Sequence, residues 1–394
     1  MRVGRANPMI PPGPFAILRR DPQTPSAQLK ARIKWLLGLP PYSQLSVLSR
    51  KIRNLETIRP LGATRPLTSE QQHTIEGYWR RFGIRLNLSW HRLYMSVHPD
   101  TRAQWYIPED LYYTYIEPTL NRIDLAPAYE DKNAYDYLFP DALRPVNVLR
   151  RNHGRYYDKS YREVNITEAD ALLTRDERCL FVKPSLNGWG GRDVRRLVVD
   201  RATVQLDGTR VTLSQLEARY GLDFVIQHEI VQHPMLAAFH KQSVNTLRIY
   251  TLRTPDVVSV ASAVLRMGVN GAAVDNQTIG GLSCGVTSEG VLCSYAIDKL
   301  FRTFTAHPTS GKLFADFQVP AWSEASRLAS ELHQRLPYFD TASWDIAVTD
   351  QAVPMLVEVN LAGQGINLLQ GNNGPLFGER TNEVLRRVFC EACG

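Results

Sequence analysis

The 394-residue chain has no apolar run approaching the roughly 18 residues that a membrane-spanning helix needs, so no membrane span is expected. Its five cysteines (Cys179, Cys284, Cys293, Cys390 and Cys393) are odd in number and widely scattered, which argues against a disulfide framework. Cys390 and Cys393 form a C-x-x-C but lack the second pair that a structural zinc site needs. Lysine is scarce, with nine residues, and arginine supplies most of the formal charge of +7. No basic block exceeds pairs such as Arg80-Arg81, Arg150-Arg151 and Arg195-Arg196, so nucleic acid is an unfavoured partner. A positive cleft for small anionic substrates is the simpler reading of the charge. There is no G-x-x-x-x-G-K-[ST] run, no internal repeat and no long low-complexity tract. The segment Met1 to Arg5 is basic, but Pro11, Pro12 and Pro14 interrupt any signal-like hydrophobic stretch, and a cytoplasmic location is expected.

What is present reads as a mixed α+β chain with hairpins. Residues 1–26 are proline-rich. Residues 27–57 carry apolar positions at helical spacing, and Thr68-Ser69-Glu70 opens a helix expected to run to about Arg81. Residues 1–100 therefore form a helical N-terminal region without assignable chemistry. From Trp105 to Tyr115 the texture is aromatic and proline-punctuated, and it is a candidate wall of an acceptor pocket together with Arg266 and Asn276. Asp131-Lys132-Asn133 opens a short helical stretch ending before Pro140. Strands are expected over Cys179–Pro184, Val194–Val199, Phe224–Glu229, Thr246–Thr251 and Val257–Arg266. Helices follow over Trp322–Arg335 and Thr381–Phe389.

Three pieces carry chemistry. Between the first two strands lies a glycine-rich loop with Gly188, Gly190 and Gly191, whose amides can approach phosphate oxygens closely because no Cβ intervenes. Lys183, just upstream in an apolar strand, needs an anionic partner, and Arg248 in its own apolar strand needs a carboxylate or phosphate. Last come Trp344-Asp345-Ile346-Ala347-Val348 and Met355-Leu356-Val357-Glu358-Val359-Asn360, read as a hairpin that sets Asp345 across from Glu358 and Asn360. Glu358 and Asn360, two apart, share a face. Three hard oxygen ligands on a rigid sheet suit magnesium carrying a nucleotide's phosphates. The following loop, Asn360 to Asn367, is expected to bring Gln364 and Asn367 near whatever that metal holds.

In this order the pieces resemble the ATP-grasp superfamily, and the wording of Ser243 to Arg248, Asp275-Asn276 with Gly280-Gly281, His307 to Gly311 and Trp344-Asp345 is closest to its sugar-transfer-associated branch, related to α-L-glutamate ligases. The resemblance covers about residues 100–390. It implies two α+β lobes gripping ATP: residues 101–175 as an N-terminal or linker part, 176–240 as the small lobe with the glycine loop and hinge, and 241–390 as the lobe bearing the metal site. It also implies that Lys132 and Lys183 bind ATP phosphates. Gln227, His228, Glu229 and Ile230 would form the adenine hinge, and Asp345, Glu358 and Asn360 would hold two Mg2+ ions. Arg248, with Asn245 and Arg266, would serve the catalytic side. No acidic residue matches the usual ribose contact, for which His233 is a weak candidate, and Trp189 is bulky for its loop. The implied activity is ATP-dependent ligation of a carboxylate to an amine or thiol through an acyl phosphate, on an amino acid, peptide or sugar-derived substrate. A kinase acting on a hydroxyl is the alternative, and a non-catalytic nucleic-acid-binding protein a remote one.

Overall fold

The computed structural model describes residues 66–99, 102–186, 193–272, 274–275 and 280–391. The expected helices of residues 27–57, the glycines 188, 190 and 191, Trp189, Asn276 and Cys393 lie outside the described residues.

Two antiparallel sheets organise the rest. The first contains β1 (Asn147–Asn152), β2 (Arg155–Tyr157), β3 (Glu163–Val164), β4 (Arg178–Pro184), β5 (Arg195–Asp200), β6 (Thr203–Leu206), β7 (Thr209–Arg210) and β8 (Phe224–His228), in the order β3-β2-β1-β8-β4-β5-β6-β7. The second contains β9 (Leu247–Arg253), β10 (Val258–Met267), β11 (Leu282–Val286), β12 (Leu292–Ile297), β13 (Thr303–Phe304), β14 (Thr341–Val348) and β15 (Pro354–Asn360), in the order β13-β12-β11-β10-β9-β14-β15. The first sheet starts at Asn147, inside the stretch read from sequence as linker. Its strand β1 carries Arg150 and Arg151, whose charges conceal it from a hydrophobicity reading.

One face of the first sheet packs Leu180, Val182, Phe224 and Ile226 against the helices α1 (Ile166–Thr174) and α2 (Leu213–Tyr220). Each helix opens with a capping box, on Asn165 and Thr212, that satisfies free backbone amides. The second sheet is covered on both faces. Leu247, Ile249, Trp344 and Ile346 meet the helix α3 (Trp322–His333). Tyr250, Leu252 and Val264 meet the aromatic segment around Tyr106 and Tyr112 and the helix α4 (Ile366–Asn373). Helices Ser69–Arg80 and Ser89–Val97 join that second cluster through Trp79, Trp90 and Tyr94. Thr68 caps the first of them in a capping box, as its sequence predicts.

This packing corrects one expectation. Within residues 105–115, Tyr106 and Tyr112 are core and not wall: both are fully buried, and the Tyr112 hydroxyl lies 3.1 Å from that of Tyr250. Among the described residues no helix is long and apolar enough to cross a membrane.

Candidate active site

Strand alternation decides what faces the cleft. In β9, Leu247 and Ile249 join one core, so Arg248 projects from the opposite face with Tyr250 and Leu252. In β14, Trp344 and Ile346 point to the same core as Leu247, which turns Asp345 the other way. Asp345 stands opposite Arg248 on one side and Glu358 on the other, so three neighbouring strands present a row of charges. Register shifts just beyond Glu358, where the pairing passes from Asp345–Glu358 to Ile346–Leu356, leaving Val357 as a bulge. Ser343 stands opposite Asn360. The hairpin read from sequence is therefore present, with its three oxygen-bearing side chains on one face.

On the first sheet the same rule applies. Leu180 and Val182 enter the core, while Phe181 and Lys183 line the cleft, as does Gln227 on the adjacent strand. The cleft between the two sheets has a volume of about 650 Å³, within the range of small-ligand sites. His228, Glu229, Ile230 and Val231 form part of its wall.

The charges inside are paired with one another. Arg248 grips Asp345 with two parallel bonds, Nε to Oδ1 at 2.8 Å and Nη2 to Oδ2 at 2.7 Å. Arg266 donates to Asp345 Oδ2 at 3.0 Å and to Asp275 Oδ1 at 3.0 Å. Asp275 in turn accepts from the Thr246 amide at 3.0 Å and from its hydroxyl. Burial works against the Asp345 charge, but Arg248, and after it Arg266, hold its carboxyl down at about 2. Lys132 donates from Nζ to Glu358 Oε1 at 3.0 Å, while its amide donates to Ser185 O at 3.2 Å, so it touches both lobes. Lys183 differs from these: among the described residues no carboxylate is hydrogen-bonded to its ammonium. It is 8% exposed, and burial, then the nearby Lys132, lower its ammonium to about 8 in spite of Glu358 and Asp345.

The oxygen set fits magnesium. Among the described residues no three His, Cys, Asp or Glu side chains gather closely enough to hold a metal unaided. Magnesium bound by one or two carboxylates and completed by substrate phosphates needs no such group. The buried amide nitrogen of Asn360 has no hydrogen-bond partner, and Asn360 lines the cleft. Amide oxygen and nitrogen are interchangeable by rotation, and presenting the oxygen to a cation would remove that unmet donor.

Several other expected residues are not in the cleft. Asn245 is fully buried and is a brace: its amide nitrogen donates to Gln232 Oε1, Leu236 O and His240 O. Gln364 is fully buried against Thr341 and Ser343, and Asn367 accepts from the Tyr94 hydroxyl at 2.5 Å. His233 accepts from the Met235 amide and so caps its own helical turn. The Gln227 side chain donates to Asn147 at 2.8 Å, leaving any hinge contact to the main chain nearby.

The segment Lys241 to Val244, which sequence reasoning did not single out for the cleft, lines it. Gly268 sets its position. A Cβ there would lie 2.5 Å from Ser243 Oγ and 2.8 Å from His240 Nδ1, which are themselves bonded at 2.8 Å. Gly268→Ala is expected to displace this pair and cost about 1–3 kcal/mol, read as a lower urea midpoint at unchanged slope.

Two lobes of antiparallel sheet closing on a cleft with lysines on one side and a carboxylate hairpin on the other have the ATP-grasp fold. The chain belongs to the sugar-transfer associated ATP-grasp family, which it matches over residues 113–386. No curated protein matches it. Among solved structures it is similar to an L-amino acid ligase from Bacillus licheniformis (13% identity, TM-score 0.38, covering 68% of this chain and 49% of that one). It is similar also to the D-alanine–D-alanine ligase of Bacillus anthracis (14%, TM-score 0.36, 66% and 65%). A third is the VanG D-Ala:D-Ser ligase of Enterococcus faecalis (11%, TM-score 0.38, 65% and 61%). The chain spans less than two thirds of the length of each. The family match, not these likenesses, carries the assignment.

Proposed function

We propose that the chain is an ATP-dependent ligase that joins a carboxylate to an amine or thiol through an acyl phosphate, with an amino acid, peptide or sugar-derived compound as substrate. The observation that carries this reading is the facing of Lys132 and Lys183 against Asp345, Glu358 and Asn360 across one cleft. Lys132 is paired with Glu358, and Arg248 with Asp345. Polyphosphate with its counter-cations would exchange these partners: phosphate oxygens take the cationic side chains, and the released carboxylates turn to the cation. Mg2+, held by Asp345, Glu358 and Asn360, supplies charge neutralisation at the phosphates when bound.

The chain's own residues then position and stabilise. Lys132 and Lys183 hold the phosphates, and the stretch from His228 to Val231 offers main-chain groups to the base. Arg248 uses its remaining donor edge beside Gly365 to orient the acyl group; a Cβ on Gly365 would lie 3.7 Å from Nη1. A substrate carboxylate oxygen bonds to the γ-phosphorus as the bond to ADP breaks. The amine then bonds the acyl carbon, loses a proton, and phosphate departs. Positioning and charge stabilisation supply most of such a rate, so no dedicated nucleophile is required. Exclusion of water protects the acyl phosphate.

ADP release against a panel of amino acids and amino sugars, with hydroxylamine present, tests the proposal. Wild type is expected to yield a hydroxamate with its acid substrate. Glu358→Gln should release ADP at least about a hundredfold more slowly, since several kcal/mol of charge stabilisation are at stake. ADP without hydroxamate would instead indicate phosphorylation of a hydroxyl. Equal signals from wild type and Glu358→Gln with every substrate, and no nucleotide binding, would end the ligase reading.

A further inference from the structure

The loop that leaves the hairpin at Asn360 has five consecutive backbone amides, and all five are taken by side chains from one distant segment. Leu361 and Ala362 donate to Glu130 Oε1 at 2.6 and 3.1 Å. Gly363 and Gln364 donate to the two oxygens of Glu117 at 3.1 and 3.2 Å. Gly365 donates to the Tyr113 hydroxyl at 2.9 Å. Gly363 and Gly365 have φ of 69° and 71°, a conformation that turns successive amides toward one side, the usual form of an anion-binding loop. Here the anions are the protein's own.

Stability alone is a poor reason for this arrangement. Glu117 is 4% exposed, and a buried carboxylate costs more than the same volume of hydrocarbon unless its bonds are complete. Burial raises the Glu130 carboxyl, the two loop amides lower it, and Glu358 raises it again. The arrangement also has a clear geometric consequence. One end of the gripped loop is Asn360, and the other is Gly365 beside Arg248. Asn121 adds to the grip: its amide nitrogen donates to Leu361 O at 2.7 Å and to Thr341 O at 2.9 Å, at the start of the paired strand β14.

We propose that Glu130 and Glu117, assisted by Tyr113, are positioning residues for the candidate metal and acyl site, acting through the 361–365 loop on Asn360 and Arg248. The proposal rests on the nucleotide site described above. Glu130 lines the cleft and Glu117 does not, and both spend their carboxylate oxygens on the loop amides, so each fixes the loop whose two ends would reach the metal and the acyl group. A rigid outer shell of this kind is what metal ligands require to keep their geometry, and its loss typically costs about 10–100-fold in metal affinity.

The test uses the full chain, a non-hydrolysable ATP analogue, and Mg2+ or Mn2+. For each variant the affinity for the analogue is measured with and without the metal. Glu130→Ala is expected to reduce the gain in affinity conferred by the metal at least about tenfold, with metal-free affinity unchanged. Glu130→Gln keeps an oxygen that accepts the same two amides and should retain most of the gain. Hydrogen exchange at the amides of 361–365 gives a second reading, independent of nucleotide: slow in wild type and Glu130→Gln, fast in Glu130→Ala. An intact metal gain in Glu130→Ala, an equal loss with and without metal, or a Glu130→Gln that behaves like alanine would each overturn the positioning role. A wild type that binds no analogue would overturn the nucleotide site, and the role with it, even while the loop amides stay protected.

Discussion

Asp345→Ala is expected to lower the free energy of unfolding by about 3–5 kcal/mol and to abolish metal-dependent nucleotide binding in whatever protein still folds. The first effect is the larger for an unusual reason. Asp345 is the common partner of two buried guanidiniums, Arg248 and Arg266, whose side chains are 12% and 8% exposed. Truncation leaves Arg266 with Asp275 and Arg248 with no bonded carboxylate, only the more distant Glu358 and Asp275, and an uncompensated buried charge costs far more than a lost surface pair. Glu358→Ala provides the contrast. Its side chain is 27% exposed and its truncation leaves one buried cation, Lys132, instead of two, so a smaller loss of about 1–3 kcal/mol is expected, with the same loss of metal-dependent binding. Urea denaturation of both variants reads the difference directly. A cost below about 1 kcal/mol for Asp345→Ala would mean that the two arginines find other partners, and that the charge row does not hold the sheet. Acidification should mimic the substitution. With its carboxyl at about 2, below the ordinary value of 3.8, Asp345 contributes stability that is complete above about pH 4 and lost as pH falls through 2.

The part of this site that was legible in the sequence is the part written in local pattern. Apolar residues two apart in Trp344–Val348 and Met355–Asn360 dictate which face carries Asp345, Glu358 and Asn360, and the structure pairs them accordingly. Arg248 and Lys183 were legible as charges that an apolar strand does not tolerate without partners. What was not legible depends on contacts between remote residues. Glu117 lies 247 positions from the Gln364 amide that it accepts, and no spacing rule connects them. Asn245 and Gln364 look like site residues because they sit beside site residues, yet the polar groups they satisfy are inside the fold. Tyr106 and Tyr112 misled for a related reason. Aromatic side chains suit a pocket wall and a core equally, and burial alone separates the two.

Lys183→Met is the substitution expected to separate stability from function most widely. Among the described residues the Lys183 ammonium has no hydrogen-bonded anion, and its burial, with the nearby Lys132, lowers it to about 8. Between about 8 and the ordinary 10.5, the unfolded chain holds a proton that the folded chain does not. Stability therefore falls as pH drops through that window, and the penalty is complete below pH 8. Methionine has a similar length without the charge, so Lys183→Met should raise stability at neutral pH, by up to about 3 kcal/mol. The same change should weaken ATP binding by about 10–100-fold, because a charge-assisted bond to phosphate is lost. Such a trade, in which a site residue is retained against the interest of the fold, is the thermodynamic signature of a group waiting for its ligand. Proton linkage follows from the same geometry. A phosphate beside Lys183 restores its charge, so ATP binding above pH 8 must take up a proton, and affinity should fall as pH rises from 8 toward 10. Titration calorimetry in buffers of different ionisation enthalpy measures that uptake. Its absence at pH 9 in wild type, or its persistence in Lys183→Met, would show that the phosphates bind away from this lysine and that the row Arg248–Asp345–Glu358 meets them without it.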